Sequence, residues 1–218
     1  MARLPPMPPR RSYDQYCSAA RALDAVGDRW TLLIVRELLG GPRRYTDLHA
    51  DLPGVSTDVL ASRLKDMERD GLATRRRLPP PAGAQVYELT ERGAELLPVL
   101  QALGAWGAPA LAARRPTDAV RAHWFALPLL RALHALGAGR GLLEVRLDEG
   151  CFHVRLGSPQ APPYGDGPAP GEPDARLTLD TAACEEISRG GAALPDLLRR
   201  GRAEVTGDGP LAGELRAV

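Results

Sequence analysis

The sequence predicts an α+β chain in two parts, a helical N-terminal unit that ends in a two-stranded wing and a smaller mixed α/β unit behind it. One continuous stretch predicts the first part, and a change of texture predicts the second. From Val55 to Arg77 the chain reads V-S-T-D-V-L-A-S-R-L-K-D-M-E-R-D-G-L-A-T-R-R-R. Ser56 is placed to cap a helix, and Leu60, Leu64 and Met67 recur at i, i+4 and i+7, which leaves Asp58, Ser62, Lys65 and Arg69 outward. Gly71 stops this helix. Residues 74–78 and 84–89 are β-leaning, and Pro79, Pro80, Pro81 and Gly83 between them forbid a helix and build a protruding tip. A polar helix beside a charged hairpin is a winged helix-turn-helix layout, which makes duplex DNA the first partner to consider. After Arg114-Arg115-Pro116 the pattern turns to alternating helix and strand.

The remaining elements follow in order. Residues 1–11 are Pro-rich and expected to be disordered. Tyr13 to Val26 reads as a helix closed by Gly27, and Arg29 to Leu39 as a second closed by Gly40-Gly41. Tyr45 to Asp51 makes a short helix, with Pro53-Gly54 turning into the polar one. Thr90 caps a long helix from Glu91 to about Ala113, kinked at Pro98 and Pro109, with Leu96, Leu97, Leu100, Leu103 and Trp106 as an apolar stripe in need of a partner surface. Val120 to Leu136 is helical with a bend at Pro128, and Leu142–Leu147 and Cys151–Leu156 are strands joined by D-E-G. Residues 157–173 carry six of the 21 prolines and read as a disordered insertion or a lid. A strand at 175–179, helices at 181–189 and 194–200, a strand at 203–206 and a short helix opened by Pro210 complete the chain. The expected organisation is a tail at 1–11, a winged helix-turn-helix unit at 12–113, a linker at 114–117 and a second unit at 118–218.

Composition restricts the function. Lys and Arg number 28 against 27 Asp and Glu, so no global field draws the molecule to nucleic acid or membrane. The 15 basic and 13 acidic residues before Arg114, against 13 and 14 from it onward, put the slight basic excess with the wing. Three cysteines without C-x-x-C spacing indicate neither a disulfide framework nor zinc. No apolar run reaches the roughly 20 residues of a membrane span and no signal-peptide core is evident, so no membrane contact and a cytoplasmic location are expected. There is no G-x-S-x-G, Gly-rich phosphate loop or H-E-x-x-H, so neither an enzyme, a cofactor nor a metal is expected.

Residues 12–107 resemble the HxlR-type branch of the MarR-like winged-helix regulators. The strings that carry the likeness are C-x-x-A-R-A-L-D-A-V-G-D-R-W-T-L-L-I-V-R-E-L, R-R-Y-T-D-L, G-V-S-T-D-V-L-A-S-R-L-K-D-M-E-R-D-G-L and Y-E-L-T-E-R-G-A-E-L. The resemblance implies a homodimer held by the N-terminal and last helices of the unit, with two recognition helices on a palindromic operator. From Trp124 onward the chain is more loosely similar to sterol carrier protein type 2-like domains, through D-A-R-L-T-L-D, a helix ending in G-G and A-E-V-T-G-D. Such domains imply an apolar tunnel between a sheet and helices.

Candidate residues follow from both readings. Ser56, Thr57, Asp58 and Ser62 are expected at base edges and Arg63 and Lys65 at phosphates, although a merely solvated helix face would look the same. Of Arg75, Arg76 and Arg77, alternating on a strand, at least one is expected along a minor groove or its phosphates, and Arg43, Arg44 and Tyr45 are further backbone candidates. For a ligand, Trp124, Phe125, Leu129, Leu133, Leu143, Val145, Phe152 and Val154 are expected to line an apolar pocket in the second unit, or else to be ordinary core. The resemblance places a reactive cysteine at Cys17, but Ser18 replaces the proline that usually follows it. A helix starting at Tyr13 would bury Cys17 mid-helix as a packing residue. Cys151 and Cys184 read as small core residues, and His123, His134 and His153 show no ligand spacing. The expected function is a DNA-binding regulator modulated by an apolar or aromatic small molecule. The alternatives are a redox switch through Cys17 and a lipid or polyketide carrier domain tethered to DNA.

Overall fold

The computed structural model describes residues 12–112, 115–158 and 161–218, so the tail expected at 1–11 and the first residue of the linker lie outside the described residues. The N-terminal half comprises α1 (Ser18–Val26), α2 (Thr31–Leu39), α3 (Tyr45–Asp51), α4 (Thr57–Arg69), β1 (Ala73–Arg77), β2 (Gln85–Leu89), α5 (Glu91–Ala94) and α6 (Leu97–Gly107), the last running into a 3-10 turn at Ala108–Ala112. Local chemistry explains most of these limits. Ser56 Oγ accepts the Val59 N–H at 3.3 Å at the start of α4, and Leu60, Leu64 and Met67 are buried as their spacing requires. Gly54, at φ +86°, makes the turn between α3 and α4. β1 and β2 pair antiparallel with Ala73 opposite Leu89, and Arg43 adds a bridge by exchanging backbone hydrogen bonds with Tyr87 at 2.9 and 2.8 Å.

Three expectations of long helices are corrected. The first helix starts at Ser18 because Asp14 adopts φ +52° and the Asp24 carboxylate accepts from Tyr13 N and Ser12 Oγ, folding residues 12–14 back onto the helix. The helix after Thr90 breaks at Glu95-Leu96, and Pro98 sits in the first turn of α6, where its missing N–H costs nothing. Pro128 behaves likewise. It falls in the first turn of α7 (Ala126–Ala135), so the bend precedes it, after a 3-10 turn at Ala122–Phe125.

The C-terminal half is a five-stranded sheet of β3 (Gly141–Leu147), β4 (Gly150–Leu156), β5 (Tyr164–Asp166), β6 (Ala175–Leu179) and β7 (Ala203–Thr206), in the order β5-β4-β3-β6-β7, with β3 and β6 parallel. Alternate residues, Leu143, Val145, Phe152, Val154, Leu177 and Leu179, are buried. Helix α7 packs against β4 and α8 (Thr181–Arg189), while α9 (Leu194–Arg199) and α10 (Pro210–Arg216) pack against β7. The Pro-rich stretch at 157–173 is neither a lid nor a disordered insertion in its described part. It supplies the edge strand β5, and its Ala169 N–H donates to the buried Glu144 carboxylate at 3.0 Å.

The halves are not two beads on a linker. One hydrophobic cluster runs from Val26 to Leu215. Tyr164, wholly buried, donates its hydroxyl to the Arg36 carbonyl near the end of α2, and its ring lies so close to Gly40 that a side chain there would press on it. No helix among the described residues is long and apolar enough to cross a membrane.

Candidate nucleic-acid interface

Helix α4 presents Thr57, Asp58, Ser62 and Lys65 to solvent, with Ser56 at its cap. Tyr45 is not a free contact residue. Its hydroxyl donates to the Thr57 carbonyl at 2.7 Å and its ring stacks on His49, so it braces α3 against the first turn of α4. Arg63 does not face outward with Lys65. It is held between Asp28 and Asp66, the latter at 2.9 Å, because position 63 lies toward the loop before α2 and not on the exposed stripe.

The wing arginines divide as strand alternation requires. Arg76 makes a bidentate pair with Glu88 at 2.9 and 2.8 Å, which holds that carboxyl below its ordinary range and neutralises the cation. Arg75 and Arg77 are exposed on the other face. Arg77 Nε donates to the Gly83 carbonyl at 3.2 Å and stiffens the tip, while Arg75 has no ion pair among the described residues. Arg44 is exposed at the start of α3 and also unpaired among them. Of the candidate cations, Arg44, Lys65, Arg75 and Arg77 are therefore the ones left without an ionic partner among the described residues.

Arg43 is the clearest correction. Its side chain is 15% exposed and pairs with Asp166 at 3.3 Å and Asp51 at 3.8 Å, while Nη2 is buried without a partner. It belongs to an ionic seam between the halves that the sequence reading missed. Glu37, fully buried in α2, accepts from His123 Nε2 at 2.7 Å, Trp124 Nε1 at 3.0 Å and Arg36 Nε at 2.8 Å. His123 Nδ1 faces Asp166 at 3.3 Å, and Arg121 reaches Asp51 at 3.3 Å and the Ala50 carbonyl at 3.2 Å. Burial alone would lower the His123 pKa, but its bonds to Asp166 and Glu37 outweigh this and raise it to about 9. The hydrogen bond from His123 in turn brings Asp166 down to about 2. Burial opposes ionisation of Glu37, and His123 and Arg36 overcome it and hold its pKa below the usual value. Ligand atoms of Glu37, Asp51 and His123 lie within 4.8 Å of one another, yet Arg36, Arg43 and Arg121 already supply the countercharge, which makes this an ion-pair network in place of a metal centre. A carboxylate inside the apolar run T-L-L-I-V-R-E-L-L was the one sequence signal for it.

The expected ligand residues are mostly core. Leu129, Leu133, Leu143, Val145, Phe152 and Val154 are at most 1% exposed, so no water-sized void borders them, and the implied tunnel between sheet and helices is filled there. Trp124 and Phe125 instead line a cleft of about 900 Å³ between the halves, walled by α2, α6, the stretch from Arg115 to Arg121, α7 and α8. Cys184 is buried, which pushes its thiol up to about 12, and Cys151 is half-buried. Cys17 is not mid-helix. It is the exposed N-cap of α1, and the backbone N–H groups of Ala20 and Ala19 lower its pKa.

A helix with a free polar face after a tight turn, flanked by a basic two-stranded wing, defines the winged helix-turn-helix class. Residues 25–114 match the HxlR-like helix-turn-helix family. The chain is 37% identical over 86 residues to the uncharacterised HTH-type transcriptional regulator YvaP of Bacillus subtilis, covering 39% of this chain and 80% of that one. It is 36% identical over 85 residues to the HTH-type transcriptional regulator YodB of the same organism, covering 39% and 76%. The solved structure of reduced YodB superposes with a TM-score of 0.39 at 34% identity, over 43% of this chain and 92% of that one. The chain belongs to the HxlR-type helix-turn-helix transcriptional regulators, through its N-terminal part.

Proposed function

We propose that the protein is a transcriptional regulator that binds a palindromic operator as a homodimer and is modulated by a small molecule held where the C-terminal half meets α6. In this reading residues 12–113 form the DNA-binding and pairing unit and residues 118–218 the sensing unit. The observation that carries it is the exposed face of α4, with Thr57, Asp58, Ser62 and Lys65, beside the unneutralised Arg75 of the wing. Pairing is supported by apolar side chains left in solvent on two elements, Tyr13, Tyr16 and Leu23 around α1 and Val99 and Trp106 on α6, the last 82% exposed. One recognition helix reads one half-site, so a dimer implies an inverted repeat with half-sites about one helical turn apart. Selection of bound duplexes from a random pool, with the stoichiometry of the complex measured, tests this. An inverted repeat bound by two chains is expected, and a single half-site bound by one chain would overturn the dimer.

A second reading, a redox switch, is favoured by the placement of Cys17 at an exposed helix N-terminus with a lowered pKa. It requires diamide or a quinone to release the operator from the wild-type chain and not from Cys17→Ser. Equal release from both rejects it.

A further inference from the structure

The cleft between the halves has walls from both, and its lining says what chemistry it takes. Along the 3-10 turn and α7, Trp124, Leu127 and Arg131 fall at i, i+3 and i+7 and face it, while Ala126, Leu130 and Leu133 turn into the core. Leu103 and Gly104 of α6 and Trp30 before α2 line it too. Most of this surface is apolar, and Trp30, Trp124 and Phe125 give it aromatic rings. Its charged groups are four arginines and the carboxylates of Asp118 and Glu185, of which Glu185 has a partner of its own, and three of the arginines are already matched: Arg36 lies 4.3 Å from the Trp124 ring centre and pairs with Glu37, Arg121 pairs with Asp51, and Arg115 with Asp118. Arg131 is different. It is half-buried at the cleft wall and has no hydrogen bond or ion pair among the described residues.

A guanidinium partly withdrawn from water without a directly bonded ionic partner is unfavourable, and a planar carboxylate matches its fork of donors with two parallel hydrogen bonds. Small-molecule sites of this volume are mostly apolar with a few orienting polar groups. We propose that the cleft binds an aromatic carboxylate, its carboxylate on Arg131 and its ring system between Trp124 and Leu103. The unpaired donors of Arg131 select the anion, and the indole surface selects a flat body. The site stands on this geometry alone, and only its influence on DNA rests on the regulatory reading above.

The test is calorimetric titration of the full chain with naphthalene-2-carboxylate and with the isosteric, uncharged naphthalene-2-carboxamide. A charged hydrogen bond at Arg131 should make the acid bind roughly tenfold tighter or more. Arg131→Gln should abolish that preference, and Arg131→Lys, which keeps the charge, should retain part of it. Gly104→Phe fills the cleft from a position where an added Cβ meets nothing within 4 Å, and should remove binding of both compounds. Equal binding of acid and amide, binding of neither, or a preference that survives Arg131→Gln overturns the assignment, as does undiminished binding to Gly104→Phe. Tight binding of the acid with unchanged operator affinity would sink ligand regulation and leave the site in place.

Discussion

Lys65 and Arg63 lie two positions apart on α4, and the structure gives them opposite tasks. Lys65 is exposed and unpaired among the described residues, whereas Arg63 is locked to Asp28 and Asp66. Lys65→Ala should therefore weaken binding to all duplexes and reduce the slope of log affinity against log salt by about 1. Arg63→Ala should leave that slope unchanged and lower thermal stability instead. Salt titrations of both variants decide this, and a reduced slope in Arg63→Ala would restore it to the phosphate set. Spacing alone could not separate the two residues, because a helix wheel shows which positions avoid the core and not which carboxylates arrive from elsewhere. Asp28 sits 35 positions before Arg63, and no local pattern joins them.

At the scale of elements, what is local was legible. The bounds of α3 and the cap of α4 follow from residues within one turn, and the alternation of β1 anticipated that its arginines would split between faces. What was not legible depends on distant partners. The three residues of β5 are too few to show a period, and they become a strand only because β4 offers an edge. The pose of α4 also has a distant cause, the Tyr45 hydroxyl on the Thr57 carbonyl. Tyr45→Phe removes one hydrogen bond, at a cost of about 1 kcal/mol of stability, and frees the first turn of α4. Denaturant unfolding should show the loss, and operator affinity should fall although Tyr45 touches no base. Unchanged affinity would mean that packing against Leu48, Leu60 and Leu64 alone fixes the helix.

Across the whole molecule the seam makes stability depend on pH. His123 has its pKa raised from 6.5 to about 9, so the stabilisation from its protonated form is complete below 6.5 and is lost as pH rises through about 9. Asp166, lowered from 3.8 to about 2, contributes above 3.8 and loses its contribution as pH falls through about 2. Melting temperature should thus fall on the alkaline side between pH 7 and 10, and His123→Gln should flatten that limb. A wild-type profile that is flat over this range would mean that His123 is neutral in the folded chain. None of this was visible in one dimension, since Glu37 and His123 stand 86 positions apart. Arg43 adds a mechanical consequence. Its backbone belongs to the wing, through Tyr87, and its guanidinium belongs to the C-terminal sheet, through Asp166 on β5. One residue is thus an axle shared by two sheets. A shift of β5 and a shift of the wing therefore bear on the same residue, one through its guanidinium and the other through its backbone.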